Sequence, residues 1–267
     1  MINFLIIPTI FILSISVLGY GFLFKRIFFS EKIIEFGLYG ILGIIFLTFY
    51  SYISNFFISH GYIHNSLIHT FGIILFIFFF FNKKNYKIIL CLIILIVLLS
   101  PAIYIYKTHD DFPYYHLPYI INILENKILI GNGNFSLAHR THSSIFYYSS
   151  LFYLPFYGFK FLNFTYFSTL LFSNLLIIEK LFYKRNHLKN DLTYYLYLLT
   201  FIFINIIFYR ISEYGTDRTG QIFIFFLFIF FINIFYKIED TEFNLKLVFL
   251  FTIFLVTIKS YFLSYFI

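Results

Sequence analysis

Two adjacent carboxylates, Asp110 and Asp111, open the long polar stretch of an otherwise hydrophobic sequence. Neighbouring carboxylates repel one another and are costly to remove from water, so such a pair usually lies where a polar substrate, a metal ion or water reaches it. The pair is therefore the candidate catalytic site. Asp110 is the preferred general base, because Asp111 directly precedes Phe112-Pro113 and a helix-capping role stays open for it.

Other charged and imidazole groups fall on the same side of the molecule if the chain alternates across a membrane. The candidate substrate-binding residues are His116, Arg140, Glu213, Asp217, Arg218 and Lys259. Acids, bases and cations on one side suit transfer from a lipid-phosphate carrier. A carboxylate would take the proton of an acceptor hydroxyl, and Arg or Lys would stabilise the phosphate leaving group.

Metal binding is an alternative use of the same groups. Asp110 and Asp111 could hold a divalent cation through oxygen ligands, with Asp217 or His116 completing the site. His139 and His142 are three residues apart and could imitate a zinc site with His116, although scattered histidines at a membrane interface explain them more simply. No cofactor is expected apart from this divalent cation.

Ordinary structural roles also stay open for several charges. Glu213 and Asp217 are spaced to form loop ion pairs with Arg210 and Arg218. Long basic side chains near helix ends often extend to lipid headgroups. That alternative applies to Arg140 and to Lys259, although a cation among apolar neighbours inside a membrane suggests function by default.

The elements that position these residues are membrane helices. The chain has 267 residues, 61% hydrophobic and 12% charged, which is too apolar for a soluble globular domain. Apolar runs of about 20 residues recur, and each is long enough to cross the bilayer as a helix, whereas the alternating pattern of a membrane barrel is missing. The sequence predicts an all-α, polytopic helical membrane protein that contacts the lipid bilayer.

Eight crossings are predicted in a single integral membrane domain, 1–267. Four precede a long extracytoplasmic loop, 107–160, which carries short interfacial helices, and four follow it within 161–267. Because the sequence ends in an apolar stretch, truncation at the C-terminus is an alternative. The piece Ile145 to Tyr157, about 13 residues, is too short to cross and is interpreted as interfacial or re-entrant. The predicted spans are about 2–24, 33–58, 67–81, 88–106, 162–182, 192–209, 221–236 and 247–267.

Basic residues set the predicted orientation. The net charge of +7 lies in short clusters between the spans, such as Lys83-Lys84 and Lys184-Arg185, and such clusters stay in the cytoplasm. The N-terminus and the acidic loop are therefore expected outside the cytoplasm, in a bacterial inner membrane. Nucleic acid is not an expected partner. The single cysteine, Cys91, excludes an intramolecular disulfide and a cysteine-based metal site.

The acidic loop also resembles a known group of proteins. Asp110-Asp111-Phe112 with Tyr115-His116-Leu117-Pro118, then Gly131-Asn132 and Ser143-Ser144-Ile145-Phe146, is similar to bacterial membrane proteins found with surface-polysaccharide genes. The many helices and the acidic outer loop resemble the GT-C superfamily of membrane glycosyltransferases. The similarity covers about 108–151, with weaker support from 213–217 and 257–259. Three or four spans precede the acidic loop, where many of these enzymes have one, and the chain is short for the superfamily.

The resemblance implies an outward-facing glycosyltransferase in cell-surface polysaccharide biosynthesis. It would take a sugar from a polyprenyl-phosphate donor and transfer it to a glycan or lipid acceptor. In the superfamily a loop acid acts as base or metal ligand, a role that maps onto Asp110 or Asp111. Two alternatives stay open: a transporter or flippase of lipid-linked oligosaccharide, and a membrane subunit without activity of its own.

Overall fold

The computed structural model describes residues 2–29, 34–80, 86–105, 108–135, 140, 142–183, 191–207, 214–237 and 240–266. Its backbone is predominantly helical, and π-helical turns at Phe112–His116 and Glu179–Tyr183 and 3-10 turns at Phe159–Asn163 and Ser260–Phe266 interrupt or extend the α-helices. The α-helices are α1 Ile2–Phe28, α2 Phe36–Asn55, α3 Tyr62–Phe80, α4 Tyr86–Leu99, α5 Pro101–Tyr104, α6 Leu117–Glu125, α7 Asn132–Phe135, α8 Ser144–Ser150, α9 Phe164–Ile178, α10 Asp191–Ile207, α11 Thr216–Phe235 and α12 Thr241–Ile258.

Within the described ranges, seven helical segments are long and apolar enough to cross a membrane. A further apolar helix, Leu192–Ile206, is shorter and coincides with the sixth predicted span. The prediction of an all-α, multi-pass membrane protein is confirmed. The seven segments are Leu5–Phe28, Phe36–Asn55, Tyr62–Phe80, Tyr86–Tyr104, Phe159–Phe182, Thr216–Phe235 and Thr241–Ile258.

The helices run alternately between two ends of the bundle. At one end Thr9 near the start of α1 contacts the Tyr157 hydroxyl, and Asn163 before α9 donates a hydrogen bond to the carbonyl of Ala102 after α4. At the other end Phe29 after α1 packs on Phe243 at the start of α12. We call the end that carries residues 108–163 the loop face and the other end the opposite face.

The last predicted span ends earlier than expected. The apolar run 247–267 predicted one continuous helix, but α12 ends at Ile258, and Lys259 has an extended backbone with φ −154° and ψ 134°. A short 3-10 turn, Ser260–Phe266, follows. The helix stops where Lys259 pairs with Asp217 of α11, a contact that hydrophobicity does not reveal.

Helix α9 is the centre of the bundle. The segment Phe159–Phe182 is 94% buried inside the protein, whereas Tyr62–Phe80 is only 22% buried. Helix α9 contacts α2, α4, α8, α10 and α11, which surround it. Helix α3 therefore lies at the periphery, with most of its apolar surface available to lipid.

Glycines allow close packing of α1 against two neighbours. A Cβ atom on Gly19 would overlap the carbonyl oxygen of Gly72 in α3, and one on Gly43 of α2 would overlap the carbonyl oxygen of Val17. Since lipid is as apolar as a leucine side chain, membrane helices associate through such close backbone packing rather than through hydrophobicity.

The segment Ile145 to Tyr157 is a turn-back inside the protein. Helix α8 is buried along its whole length, and the chain then reverses through an antiparallel bridge between Leu154 and Gly158 before the 3-10 turn that leads into α9. Helix α8 is therefore covered by protein and does not lie on the surface of the bundle, whereas the re-entrant position in the bilayer stays a prediction.

A buried charge cluster closes the opposite face. The two carboxylate oxygens of Glu179 accept hydrogen bonds from the backbone N–H groups of Phe36 and Gly37, at 2.9 and 2.7 Å. These N–H groups begin α2 and have no partner within their own helix, so Glu179 caps it. Lys180 pairs with Glu35 at 3.1 Å, and both side chains are buried.

Candidate functional site

Most of the predicted site residues meet in one cleft at the loop face, here called the charged cleft. It forms where the turn preceding α6, the first turn of α11 and the end of α12 come together, and its volume is about 180 Å³. The cleft has room for a small polar group. It is lined by His109, Asp111, Tyr115, His116, Gly215, Thr216, Asp217, Arg218, Gln221 and Lys259.

The π-helical turn Phe112–His116 directs Asp111 into the cleft. The residue lies at the N-cap position, yet its side chain makes no capping hydrogen bond. Its Oδ2 atom instead accepts a hydrogen bond from the Tyr115 hydroxyl at 3.4 Å and lies 3.5 Å from His109 Nδ1. Single π-helical turns within helices often occur at functional sites. The contacts favour a role in the cleft for Asp111 over the capping role.

His116 is buried beside the same cleft in a defined tautomer. Its Nδ1 atom lies 3.1 Å from the backbone carbonyl of Tyr214, which can only accept, so Nδ1 carries the proton. Burial lowers the pKa of His116 to about 4, so the ring is neutral at pH 7. The Nε2 lone pair is buried without a hydrogen-bond partner among the described residues. The ring lines the cleft, but its Nε2 atom is covered by protein, so a ligand hydroxyl would reach it only after a local movement.

The carbonyl that binds His116 belongs to a residue in a strained conformation. Tyr214 has φ 60°, in the left-handed region that side chains other than glycine rarely adopt. Its ring packs against Phe112 and Tyr166, with centroids 4.4 and 6.1 Å away. This packing holds the strained backbone and locks the start of α11 to the acidic loop.

Lys259 and Arg218 bring positive charge to the cleft. Lys259 Nζ forms an ion pair with Asp217 Oδ1, and Arg218 Nη1 donates a hydrogen bond to Gln221 Oε1 at 3.1 Å. Asp217 lies in the first turn of α11, where the helix dipole favours an anion, and Lys259 follows the last turn of α12, where it favours a cation. The first turn of α11 also presents backbone N–H groups of the kind that bind phosphate.

The carboxylates of Asp111 and Asp217 act electrostatically on the phenol of Tyr115. Burial, followed by the nearby charges of Asp111 and Asp217, raises the pKa of Tyr115 to about 12. The phenol therefore stays protonated and donates to Asp111. An acid, a neutral base, a phenol and two cations in one cleft can transfer protons and hold an anion at the same time.

The predicted residues outside the cleft are Asp110, Arg140 and Glu213. Asp110 is exposed and does not line the charged cleft. Arg140 is also exposed, and its Nε atom donates to the Gly133 carbonyl at 2.8 Å. Glu213 lies outside the described residues, as do His139 and Arg210. Among the residues that the structure describes, no three His, Cys, Asp or Glu groups are placed to hold a metal ion.

Sequence reasoning missed Tyr115 and His109 as members of the cleft. Tyr115 follows Asp111 by four residues, the spacing that brings side chains together on one helical face. With 25 tyrosines in the chain, that spacing alone carries little weight. Gln221 and Thr216 were also missed, because they contribute to the cleft only through the packing of α11 against α12.

The loop face also holds a second cluster of polar side chains, for which the sequence predicted no role. Asn65 in α3 donates through its amide nitrogen to the backbone carbonyls of Ser150 and Tyr153, at 2.8 and 3.0 Å. His69 Nε2 lies 3.1 Å from the Leu151 carbonyl, and His60 Nδ1 lies 2.7 Å from the Ser150 hydroxyl. Asn65 and His69 therefore supply side-chain donors to backbone carbonyls of the re-entrant turn, and His60 contacts a side-chain hydroxyl of the same segment.

The fold and the charged cleft define a multi-pass helical membrane protein with an ionisable site at one end of its bundle. The chain belongs to the family described as a domain of unknown function, DUF8201, which matches residues 1–267. Comparison with curated proteins and with solved structures finds no match.

Proposed function

We propose that this protein is a membrane glycosyltransferase of the bacterial cell envelope, acting outside the cytoplasm in cell-surface polysaccharide assembly. It transfers a sugar from a polyprenyl-phosphate donor to a glycan or lipid acceptor. The observation that carries the proposal is the charged cleft, in which the Asp111 carboxylate, the neutral His116 and the cations Arg218 and Lys259 share one small space. The GT-C resemblance of the acidic loop points to the same chemistry.

The reaction uses these groups in two roles. The acceptor hydroxyl attacks the anomeric carbon of the donor sugar and gives its proton to the Asp111 carboxylate. The bond between that carbon and the phosphate oxygen breaks, and its electron pair leaves with polyprenyl phosphate. Lys259, Arg218 and the first N–H groups of α11 stabilise the departing anion.

Asp111 replaces Asp110 as the proposed base. Asp111 lines the charged cleft and contacts Tyr115 and His109, whereas Asp110 is exposed and is not part of the lining. Asp217 is a positioning residue, because its ion pair holds Lys259 at the cleft. A general base contributes about 10²- to 10⁴-fold to such a reaction.

The charge distribution supports an extracytoplasmic loop face. Lys25 and Arg26 lie in the last turn of α1, Lys87 lies in the first turn of α4, and Lys246 lies near the start of α12, all toward the opposite face. Basic residues at that end favour a cytoplasmic location for it. The donor would then reach the charged cleft from the outer leaflet.

The first test compares the two adjacent aspartates. We expect Asp111→Asn to lower sugar transfer at least about a hundredfold, because Asn cannot take a proton. Asp110→Asn is the matched control and should retain transfer. The measurement is mass spectrometry of surface glycan and lipid-linked intermediates in host cells that carry each variant, the wild type or a deletion, with membrane abundance checked.

The outcomes separate the proposal from its rivals. Loss of one defined sugar in the deletion and in Asp111→Asn supports a glycosyltransferase. Wild-type glycan in Asp111→Asn cells contradicts the assigned base. Retention of complete lipid-linked intermediates inside the deletion strain, with both Asn variants active, would indicate a transporter instead.

A second pair of variants tests the proposed phosphate contact. Lys259→Gln should lower transfer about a hundredfold while changing thermal stability little, because a partly exposed ion pair contributes about 1 kcal/mol or less. The control is Lys246→Gln, which breaks the exposed pair with Glu242 at the other end of the same helix. Equal transfer by the two variants would remove Lys259 from the mechanism.

A further inference from the structure

A second cleft at the loop face has different chemistry from the first. It has a volume of about 260 Å³ and lies between the end of α2, α6, α7 and α8. We call it the tyrosine cleft, after Tyr52, Tyr119 and Tyr147. No Asp, Glu, Lys or Arg of the described ranges lines it, in contrast to the charged cleft.

The aromatic rings of the tyrosine cleft form a connected surface. The rings of Tyr52 and Tyr147 are 5.0 Å apart in an edge-to-face arrangement, and Tyr119 lies 6.1 Å from Tyr147. The Tyr119 hydroxyl lies 3.2 Å from His142 Nδ1 and 3.5 Å from the Tyr147 hydroxyl. Such rings combine an apolar face with a hydroxyl that donates or accepts.

Amide groups complete the lining. Asn122 lines the cleft and accepts a hydrogen bond from Asn126 through its Oδ1 atom. Asn132 is also part of the lining. Burial raises the pKa of Tyr119, so the phenol stays neutral at physiological pH. The ligand that fits has apolar C–H faces for the rings, several hydroxyls for the amides and phenols, and no charge.

The two clefts adjoin along one helix. His116 of the charged cleft and Tyr119 and Asn122 of the tyrosine cleft follow one another at intervals of three residues, and therefore lie on one side of α6 and its preceding turn. The Phe146 ring lies between them, with its centroid 5.0 Å from His116 and 5.1 Å from Tyr119. A ligand in the tyrosine cleft would reach the charged cleft within about two helical turns, roughly 10 Å.

We propose that the tyrosine cleft binds a neutral sugar ring of the acceptor glycan, next to the point of transfer. This assignment rests on the proposed function for its biological meaning. Rings and amides hold the acceptor in place, and its reacting hydroxyl extends past Phe146 to Asp111. The cleft accordingly selects an acceptor that already carries at least one uncharged sugar.

The test is direct binding of sugars to the purified full-length protein in lipid nanodiscs. The probes are methyl glycosides of glucose, galactose and N-acetylglucosamine, detected by saturation-transfer NMR. We expect at least one probe to bind, and Tyr52→Leu to lower its affinity about tenfold by removing a ring that is 37% exposed at the rim. Phe57→Leu is the matched control, because Phe57 follows the end of α2, is 68% exposed and is not part of the cleft lining.

The outcomes keep this inference separate from the proposed function. Absence of binding by all three probes, or equal binding by wild type and Tyr52→Leu, overturns the tyrosine cleft as a sugar site, even if Asp111→Asn abolishes transfer. Binding that depends on Tyr52 supports the inference, and Asp111→Asn should bind the probe as well as the wild type does. If Tyr52-dependent binding is found while Asp111→Asn transfers normally, the sugar site stands and the assigned base does not.

Discussion

His116 is held in one tautomer and one protonation state by its surroundings. Nδ1 donates to the Tyr214 carbonyl, and burial outweighs every charge around the ring. Asp111 favours the protonated form, whereas His109 and Lys259 oppose it. The neutral ring leaves Nε2 as a buried hydrogen-bond acceptor beside the charged cleft.

The depressed pKa of His116 predicts acid lability. The unfolded chain takes up this proton near pH 6.5, and the folded protein does so only near pH 4, so the free energy of unfolding falls as the pH decreases through that window. The expected loss from this residue is on the order of 3 kcal/mol by pH 4. Thermal unfolding in nanodiscs between pH 7 and pH 4 measures it.

The matched variant for this prediction is His116→Asn. An asparagine amide can replace the Nδ1 donor to Tyr214 but does not titrate, so its unfolding temperature should fall less steeply below pH 6.5 than that of the wild type. Parallel curves for the two proteins would show that His116 is not a source of the acid lability.

At the scale of elements, the re-entrant turn depends on side chains of α3. Asn65 donates to the carbonyls of Ser150 and Tyr153, and His69 donates to the carbonyl of Leu151. The Ser150 carbonyl also accepts a backbone hydrogen bond from the Tyr153 N–H. Since α8 lies beneath the acidic loop and Thr257 of α12 donates to Ser144 at its start, these bonds also support the charged cleft from below.

Removing one of these donors should destabilise the protein markedly. Asn65→Ala removes the amide that donates to the carbonyls of His60, Ser150 and Tyr153, which costs about 2 to 3 kcal/mol at about 1 kcal/mol for each hydrogen bond. Asn126→Ala removes an exposed amide that bonds only Asn122 through its side chain, and we expect a change below about 1 kcal/mol. Thermal unfolding of the purified variants compares them, and similar shifts would contradict the anchoring role.

The hydrophobicity of the sequence predicted which segments form long helices better than it predicted the residues at which those helices end. Apolar runs identified every long helix, because each must satisfy its own backbone in lipid. The end of α12 was predicted wrongly, since Ser260–Phe266 is apolar and the pairing of Lys259 with Asp217 depends on tertiary packing. The segment Ile145 to Tyr157 was flagged by its length, but its burial depends on contacts with α2 and α9 that the sequence does not display.

The candidate site was predicted in part for the same reason. Alternation across the membrane brought Asp217, Arg218 and Lys259 to the side of the acidic loop, so their shared face followed from the sequence. Their meeting with Asp111 required the strained backbone of Tyr214 and the packing of α11 on α12. That Asp111 lines the cleft while its neighbour Asp110 is exposed was not predicted, because it depends on the tertiary contacts of the loop.

At the scale of the whole molecule, charge is divided between the two faces. Among the described residues, Lys25, Arg26, Lys87, Lys237 and Lys246 lie toward the opposite face, whereas Lys127, Arg140, Lys160, Arg218 and Lys259 lie toward the loop face. The loop face carries both polar clefts. The prediction that both clefts face away from the cytoplasm rests on the basic clusters between the predicted spans, such as Lys83-Lys84 and Lys184-Arg185.

Cysteine labelling in intact cells tests this orientation. In a Cys91→Ala background, Lys127→Cys at the loop face should react with a membrane-impermeant maleimide from outside. Glu242→Cys, whose native side chain is 77% exposed at the opposite face, should react only after the membrane is permeabilised. The reverse pattern would place the charged cleft in the cytoplasm and exclude an outward-facing enzyme.

The capping of α2 by Glu179 has a consequence for biogenesis. The N–H groups of Phe36 and Gly37 emerge from the ribosome 143 and 142 residues before the carboxylate that binds them. At a synthesis rate of about 5–20 residues per second, the first helices wait roughly 7 to 30 seconds for that partner. Water at the membrane surface must solvate those amides meanwhile, so the early hairpin is a transient intermediate that is completed only when α9 inserts.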